Sequence, residues 1–274
     1  MKILIAADME GITGVTNWDQ VNPAHSEYAR FRRIMTQDVN AAVRGALAAG
    51  ADDILVTDGH AHGNNILLEE LNPRARLSSG NASPLAMVQG VDTDVDGVLL
   101  IGYHACAGSK NSILDHTWAS SSVANVWLND NLVGEVGLNA AVCGHFNVPV
   151  LMVSGDQTVC GEARELLGLV EVAVVKHASG RMSAECLPPE VAQDMICEAA
   201  SHAIIRLRSG QAVAPFRVNE PVNVRVEFFQ SDMGDRAALL PGARRLSAKM
   251  IELTTADMVG AYTGFRSAVS LARP

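Results

Sequence analysis

No two cysteines in this chain are spaced for a thiolate metal site or a disulfide framework. The five present, Cys106, Cys143, Cys160, Cys186 and Cys197, are odd in number, scattered, and without a C-x-x-C pair. Any metal is therefore expected on oxygen and imidazole. Long apolar runs are missing too: none approaches the ~20 residues of a membrane span. Met1-Lys2 leads straight into the first apolar run, with no room for a secretory signal, so the expectation is a cytoplasmic protein with no membrane partner. Positive charge is scarce, with 21 Lys and Arg against 30 Asp and Glu and a formal charge of −9. Nucleic-acid affinity rests on clustered Lys and Arg, so no nucleic-acid partner is expected. The one basic cluster, Arg30, Arg32 and Arg33, falls in a helical pattern and reads as a solvated face.

Several motifs are also absent. There is no G-x-S-x-G elbow and no G-x-G-x-x-G after the first strand, which weakens serine-hydrolase and dinucleotide readings. GYHACAGSK at 102–110 has one residue too many between its glycines for a phosphate-binding loop, and Ser precedes Lys. Asn81-Ala82-Ser83 fits a glycosylation acceptor by spacing, a chance match without a secretory route. Internal repeats, heptad seams and low-complexity tracts are absent.

What is present is a 274-residue chain, 48% hydrophobic and 19% charged, a globular composition sufficient for one sizeable α/β domain or two smaller ones. Residues 3–14, ILIAADMEGITG, read as a short buried strand with Asp8 and Glu10 at its end, closed by Gly11 and Gly14. In extended chain the two carboxylates share a face, with Cα atoms roughly 6.5 Å apart at ~3.3 Å per residue. Like charges that close need a proton, a base or a cation between them. The ordinary reading of an isolated Asp-x-Glu is a turn cap beside a solvated glutamate.

The rest of the chain changes that reading. A helix is expected over 24–49, stopped by Gly50, then a strand at Ile54–Thr57 that runs into Asp58, Gly59 and His60. Helical turns at 66–71 and 83–88 precede a strand at 97–102 that ends in Tyr103 and His104. Strand–helix alternation predicts a mostly parallel sheet with helices on both faces, and ligands in such sheets bind beyond the carboxyl ends of the strands. Asp8 with Glu10, His60 and His104 sit at three such ends, with neighbouring strands ~4.8 Å apart. Carboxylate and imidazole without cysteine suit zinc, with manganese or cobalt as substitutes. Residues 117–134 read as a β-hairpin turning at Asn129-Asp130-Asn131, and Glu135 opens a helix, a favourable place for a carboxylate with or without a metal.

Further strands are expected at 149–154 and 170–176, and helices at 158–167 and 188–208. A linker at 210–221 then leads to a strand (222–229), helix (232–240), strand (244–253) and helix (255–271). The expected division is a catalytic α/β domain over 1–210 and a smaller C-terminal α/β lobe over 211–274. Asp58 has two readings, an acceptor that orients His60 or a turn-forming residue before Gly59.

Six stretches, DMEGITG (8–14), DGHAHGNN (58–65), GYHA (102–105), DHT (115–117), NDNLVGEVGLNA (129–140) and PVLMVSGD (149–156), together resemble the zinc-dependent, self-compartmentalising D-aminopeptidase family. The resemblance implies two zinc ions per subunit, bridged by Asp8 and completed by Glu10, His60, His104 and Glu135, with His116 as the catalytic histidine. It also implies a ring of ten subunits and removal of N-terminal D-residues, of the D-Ala type, from short peptides by metal-activated water. His116 is left as proton shuttle or nucleophile. His62 and Asp115 depart from the family pattern, His62 as a further candidate ligand or proton carrier. Two other readings keep the residues and change the outcome: a hydrolase of phosphoesters or cyclic amides on the same metals, or an inactive binding protein on the same fold.

Overall fold

Five of the six residues of KILIAA are buried, and in the computed structural model this stretch, Lys2–Ala7 (β1), lies inside the larger of two sheets. The structure describes residues 1–80 and 83–273, so Asn81 and Ala82 of the glycosylation-like triplet lie outside it. After β1 come α1 (Tyr28–Ala48), β2 (Asp53–Asp58), β3 (Ala75–Ser78), β4 (Gly97–Ile101), β5 (Val123–Leu128) and β6 (Asn131–Leu132). Then follow α2 (Glu135–His145), β7 (Val150–Asp156), α3 (Gln157–Leu167), β8 (Glu171–Gly180), β9 (Ser183–Cys186) and α4 (Pro189–Arg208). The chain closes with β10 (Val222–Phe228), α5 (Ser231–Ala237), β11 (Arg244–Arg245), β12 (Met250–Thr255) and α6 (Met258–Ala272).

The seven-stranded sheet has the order β3-β2-β1-β4-β7-β8-β9 and is parallel except for the β8–β9 hairpin. Alternation along β1 sorts its side chains: Ile3, Ile5 and Ala7 pack toward α1 and α4, Leu4 and Ala6 toward α2 and α3. Helices therefore cover both faces, as the strand–helix alternation predicts. The smaller sheet, β11-β12-β10-β5-β6, is antiparallel and is backed by α5 and α6. Its β5–β6 turn has positive φ at Asn129 (44°) and Asp130 (70°), which these residue types tolerate. Because β5 pairs with β10, the tail completes a sheet begun by this hairpin, and a division after residue 210 falls between two hydrogen-bonded strands.

The differences from expectation have local causes. The first helix begins at Tyr28, because the Asn22 side chain accepts the Ala24 N–H (3.0 Å) and holds residues 22–27 in turns. The helical turns near 66–71 and 83–88 shrink to three-residue 3-10 turns. The short edge strands β3 and β9 carry too little pattern to read, and the stretch 244–253 is broken by a reversal between β11 and β12. Among the described residues no helix is long and apolar enough to cross a membrane.

Two buried ionisable groups fasten the segment that leaves β1. Lys176 on β8 is fully buried, and its Nζ donates to the carbonyl oxygens of Glu10 (2.7 Å), Ile12 (2.9 Å) and Val15 (2.8 Å). Asp38 on α1 accepts from Thr13 N–H (3.0 Å) and from the Thr13 hydroxyl (2.8 Å). Burial pushes the Asp38 carboxyl up to about 6, against the Thr13 bonds. Burial likewise draws the Lys176 ammonium down to about 8, against the Asp156 charge.

The unfolded chain releases the Asp38 proton at the lower, ordinary carboxyl pKa. The group therefore favours folding fully below pH ~4, and this contribution is lost as pH rises toward ~6, about 3 kcal/mol in all. Asp38→Asn keeps a neutral acceptor for Thr13 and should remove that component, flattening the fall in Tm between pH 4 and 6 relative to the parent chain. Thermal melts across pH 4–7 measure it, and parallel curves for both proteins would contradict the assignment.

Candidate metal centre

At the carboxyl edge of the larger sheet, Ala7 stands opposite Asp58 on one side and Ile101 on the other. The chain therefore leaves β1, β2 and β4 at one level, and the residues that follow, Asp8, His60 and His104, meet there. Gly11 is needed for this approach: its N–H donates to Gly102 O (2.8 Å), and a Cβ would stand 1.9 Å from the Tyr103 carbonyl oxygen. Glu135, the first residue of α2, comes in from the far side, and His116 from the irregular stretch between β4 and β5.

All six side chains are buried and their polar ends converge. His60 Nδ1 is 3.1 Å from Glu10 Oε2 and 3.4 Å from Asp8 Oδ1. His104 Nε2 is 3.4 Å from Asp8 Oδ2 and 3.2 Å from Glu135 Oε1. His116 Nε2 is 3.7 Å from Glu135 Oε1 and 4.0 Å from Glu10 Oε1. Asp8 thus sits between two imidazoles, one oxygen toward each.

The opposite nitrogen of each ring lies against a main-chain carbonyl: His60 Nε2 to Val21 O (2.9 Å), His104 Nδ1 to Ala105 O (3.1 Å), His116 Nδ1 to Leu114 O (2.8 Å). An N–H donated there leaves the inward nitrogen of each ring with its lone pair, the tautomer a metal ligand needs. His104 and His116 stack with ring centroids 3.9 Å apart, and Trp18 meets His116 edge-on at 5.5 Å.

The electrostatics follow from three carboxylates in one dry site. Burial, then the Glu10 charge, pushes Asp8 up to about 7. Burial opposes ionisation of Glu10 as well, but the His60 charge and hydrogen bond hold it well below the carboxylate range. Glu135 is lowered in the same way by His104. Against burial, Glu10 holds the His60 imidazolium well above its ordinary pKa, and Glu135 holds that of His104 up to about 10. His116 goes the other way, lowered by burial and by His104.

Within this cluster Asp8 Oδ2 and His104 Nε2 are buried with no hydrogen-bond partner among the described residues. Two overlapping sets, Asp8–Glu10–His104 and His104–His116–Glu135, each bring one ligand atom per residue within 4.8 Å of the others. Orphaned buried polar atoms that close to one another fit divalent cations, and the oxygen-and-imidazole donor set fits zinc.

Other candidates fall outside. His62 is exposed and belongs to neither set. Asp58 is a loop former: its carboxylate accepts from Asn65 N–H (2.5 Å), Asn65 Nδ2 (2.7 Å) and Ile66 N–H (2.8 Å), while the Val21 carbonyl orients His60. Asp115 accepts from Gly108 N–H (2.7 Å) and from Arg181 Nε (2.9 Å). Sequence reasoning misses Lys176, Asp38 and Trp118. Trp118 has φ 67°, its N–H donates to Glu135 Oε1 (2.7 Å), and its ring packs edge-on against Tyr262 and Phe265 of α6.

Over residues 1–267 the sequence matches the M55 peptidase family, described as D-aminopeptidase. It is similar to a D-aminopeptidase of Bacillus subtilis (strain 168), 35% identical over 263 residues that cover 96% of this chain and 94% of that one. The solved structure of the Zn-dependent D-aminopeptidase DppA from Bacillus subtilis, described as a self-compartmentalizing protease, superposes with a TM-score of 0.95 at 34% identity. That match covers 99% of this chain and 98% of DppA. This chain belongs to the M55 family of D-aminopeptidases.

Proposed function

We propose that the protein is a binuclear zinc aminopeptidase that hydrolyses N-terminal D-amino acids, of the D-Ala type, from short peptides. The observation that carries the reading is the set of three imidazoles, each with one nitrogen on a main-chain carbonyl and the other turned toward buried carboxylates. Asp8, Glu10, His60, His104 and Glu135 would hold the ions, Asp8 lying between the His60 and His104 rings. Family membership and the zinc dependence of DppA support the metal and the substrate class. Neither lends support to a phosphoester or cyclic-amide substrate, and no assigned position carries a side chain unfit for its role, as an inactive relative could.

Zinc held there supplies Lewis acidity, polarising the scissile carbonyl and lowering the pKa of water toward ~7. The chain supplies the rest. His116, whose pKa burial lowers, has its Nδ1 against Leu114 O and its Nε2 turned to the cluster. Nε2 can accept the proton that water loses on attack and pass it to the departing amine, so that the peptide C–N bond breaks with no net proton uptake. Trp18 and the His104 ring hold the imidazole in that orientation.

His60→Ala and His104→Ala should each lower bound zinc per chain and reduce kcat on D-Ala-D-Ala by more than about a hundredfold. His116→Ala should keep its zinc and lose about 10²–10⁴ in kcat. Metal analysis beside steady-state kinetics separates the two classes. Full activity in either ligand variant would contradict the metal assignment, and an acyl-enzyme trapped on His116 would contradict the proton-carrier role. The proposal includes a cytoplasmic location and a ring of ten subunits, the latter supported by the description of DppA as self-compartmentalizing. Sedimentation should give the mass of ten chains, and a monomer would contradict the ring.

A further inference from the structure

A cavity of about 470 Å³ opens beside His116, walled by Ala107, Val123, Asn125 and Phe229, with Asp115 and Arg181 at its charged side. Arg181 is the one cation among its lining residues. It lies just past the end of β8, at the tip of the β8–β9 hairpin, and its side chain is half exposed. Nε donates to Asp115 Oδ1 (2.9 Å), and Nη2 donates to the Asp115 carbonyl (3.0 Å). The guanidinium carbon stands 5.7 Å over the Trp18 ring. Its carbonyl in turn accepts the Leu114 N–H (2.9 Å), two residues before His116.

Five N–H groups on a planar fork, of which these contacts use two, leave donors for a further anion. Among the described residues Nη1 has no hydrogen-bond partner. The Asp115 carboxylate, in contrast, is engaged by the Gly108 N–H as well as by Arg181 and is largely buried. The site is therefore polar along its length. At one end lie the three carboxylates assigned to the metals; at the other, past His116, a positioned guanidinium faces the cavity. Arginine matches carboxylate geometry with paired N–H bonds.

We propose that this cavity receives the part of the substrate beyond the scissile bond and that Arg181 binds its C-terminal carboxylate, with Asp115 holding the guanidinium in place. The proposal rests on the aminopeptidase reading above and adds to it the chemical class preferred: short peptides with a free carboxyl end, over amides and longer chains. Carboxylate recognition of this kind makes peptide length a property of the site itself.

The test uses the zinc-loaded full chain with D-Ala-D-Ala, the same dipeptide as its C-terminal amide, and D-alanyl p-nitroanilide. The parent enzyme should favour the free acid over the amide by at least about tenfold in kcat/KM, mostly through KM. In Arg181→Gln that acid-to-amide ratio should fall to near one, and Arg181→Lys should retain part of it. A bracing role through Asp115 would lower both substrates together and leave the ratio intact, which would overturn the assignment. So would a parent enzyme that cleaves acid and amide equally well, a measurement independent of whether either variant folds. If the parent cleaves none of the three compounds, the aminopeptidase reading itself fails and takes this proposal with it.

Discussion

Three carboxylates closed off from water at one sheet edge are the constraint on which the rest of the structure depends. Each repels the others, and burial alone drives them toward their neutral forms. Asp8 shows this directly, pushed up to about 7 by burial and by Glu10. Imidazoles interleaved among the oxygens relieve part of the repulsion, and divalent cations relieve it without requiring protons. Such an arrangement is worth its folding cost only if it does chemistry, because an apolar core of the same volume is cheaper to build.

The scaffold is correspondingly stiff where it meets the cluster. Lys176 satisfies three main-chain carbonyls of the segment carrying Glu10, and Asp38 holds Thr13 of the same segment. Without the ammonium the Glu10 and Val15 carbonyl oxygens would lose their donor, at roughly 1–3 kcal/mol apiece, while Ile12 O would keep the Val15 N–H. The smaller sheet contributes at a distance. Trp118, in a left-handed conformation that costs ~1–3 kcal/mol, is pinned by Tyr262 and Phe265 so that its N–H reaches Glu135. The C-terminal helix thereby acts on the site without touching it.

The parts of this arrangement legible in the sequence are those with a short-range signature. Buried strands read as apolar runs closed by glycine, so Asp8, Glu10, His60 and His104 could be placed at strand ends, and a parallel sheet brings such ends together whatever lies between them. Glu135 carried no such signal, since a glutamate opening a helix needs no metal to explain it, and its place came from family resemblance. Lys176 looked like the polar close of a strand, because nothing local says that VAVVKHA keeps its lysine indoors. Asp38 and Trp118 were hidden for the same reason: their partners lie far away in sequence. Asp58 kept two readings open because proximity in sequence to His60 resembles proximity in function; its carboxylate is consumed by Asn65 and Ile66, the turn-forming alternative. The tail keeps its expected strand–helix order with one strand more, because a reversal of a few residues splits one apparent strand in two, and its sheet borrows β5 from the middle of the chain.

The central proposal is that side chains from four separate stretches share a pair of cations. Anomalous scattering at the zinc edge, on crystals of the zinc-loaded protein, tests it most directly. The account predicts two peaks flanking the Asp8 carboxylate, each within bonding distance of imidazole nitrogen, one on the His60 side and one on the His104 side. Absence of any peak at Asp8, or strong peaks only elsewhere on the chain, would contradict it.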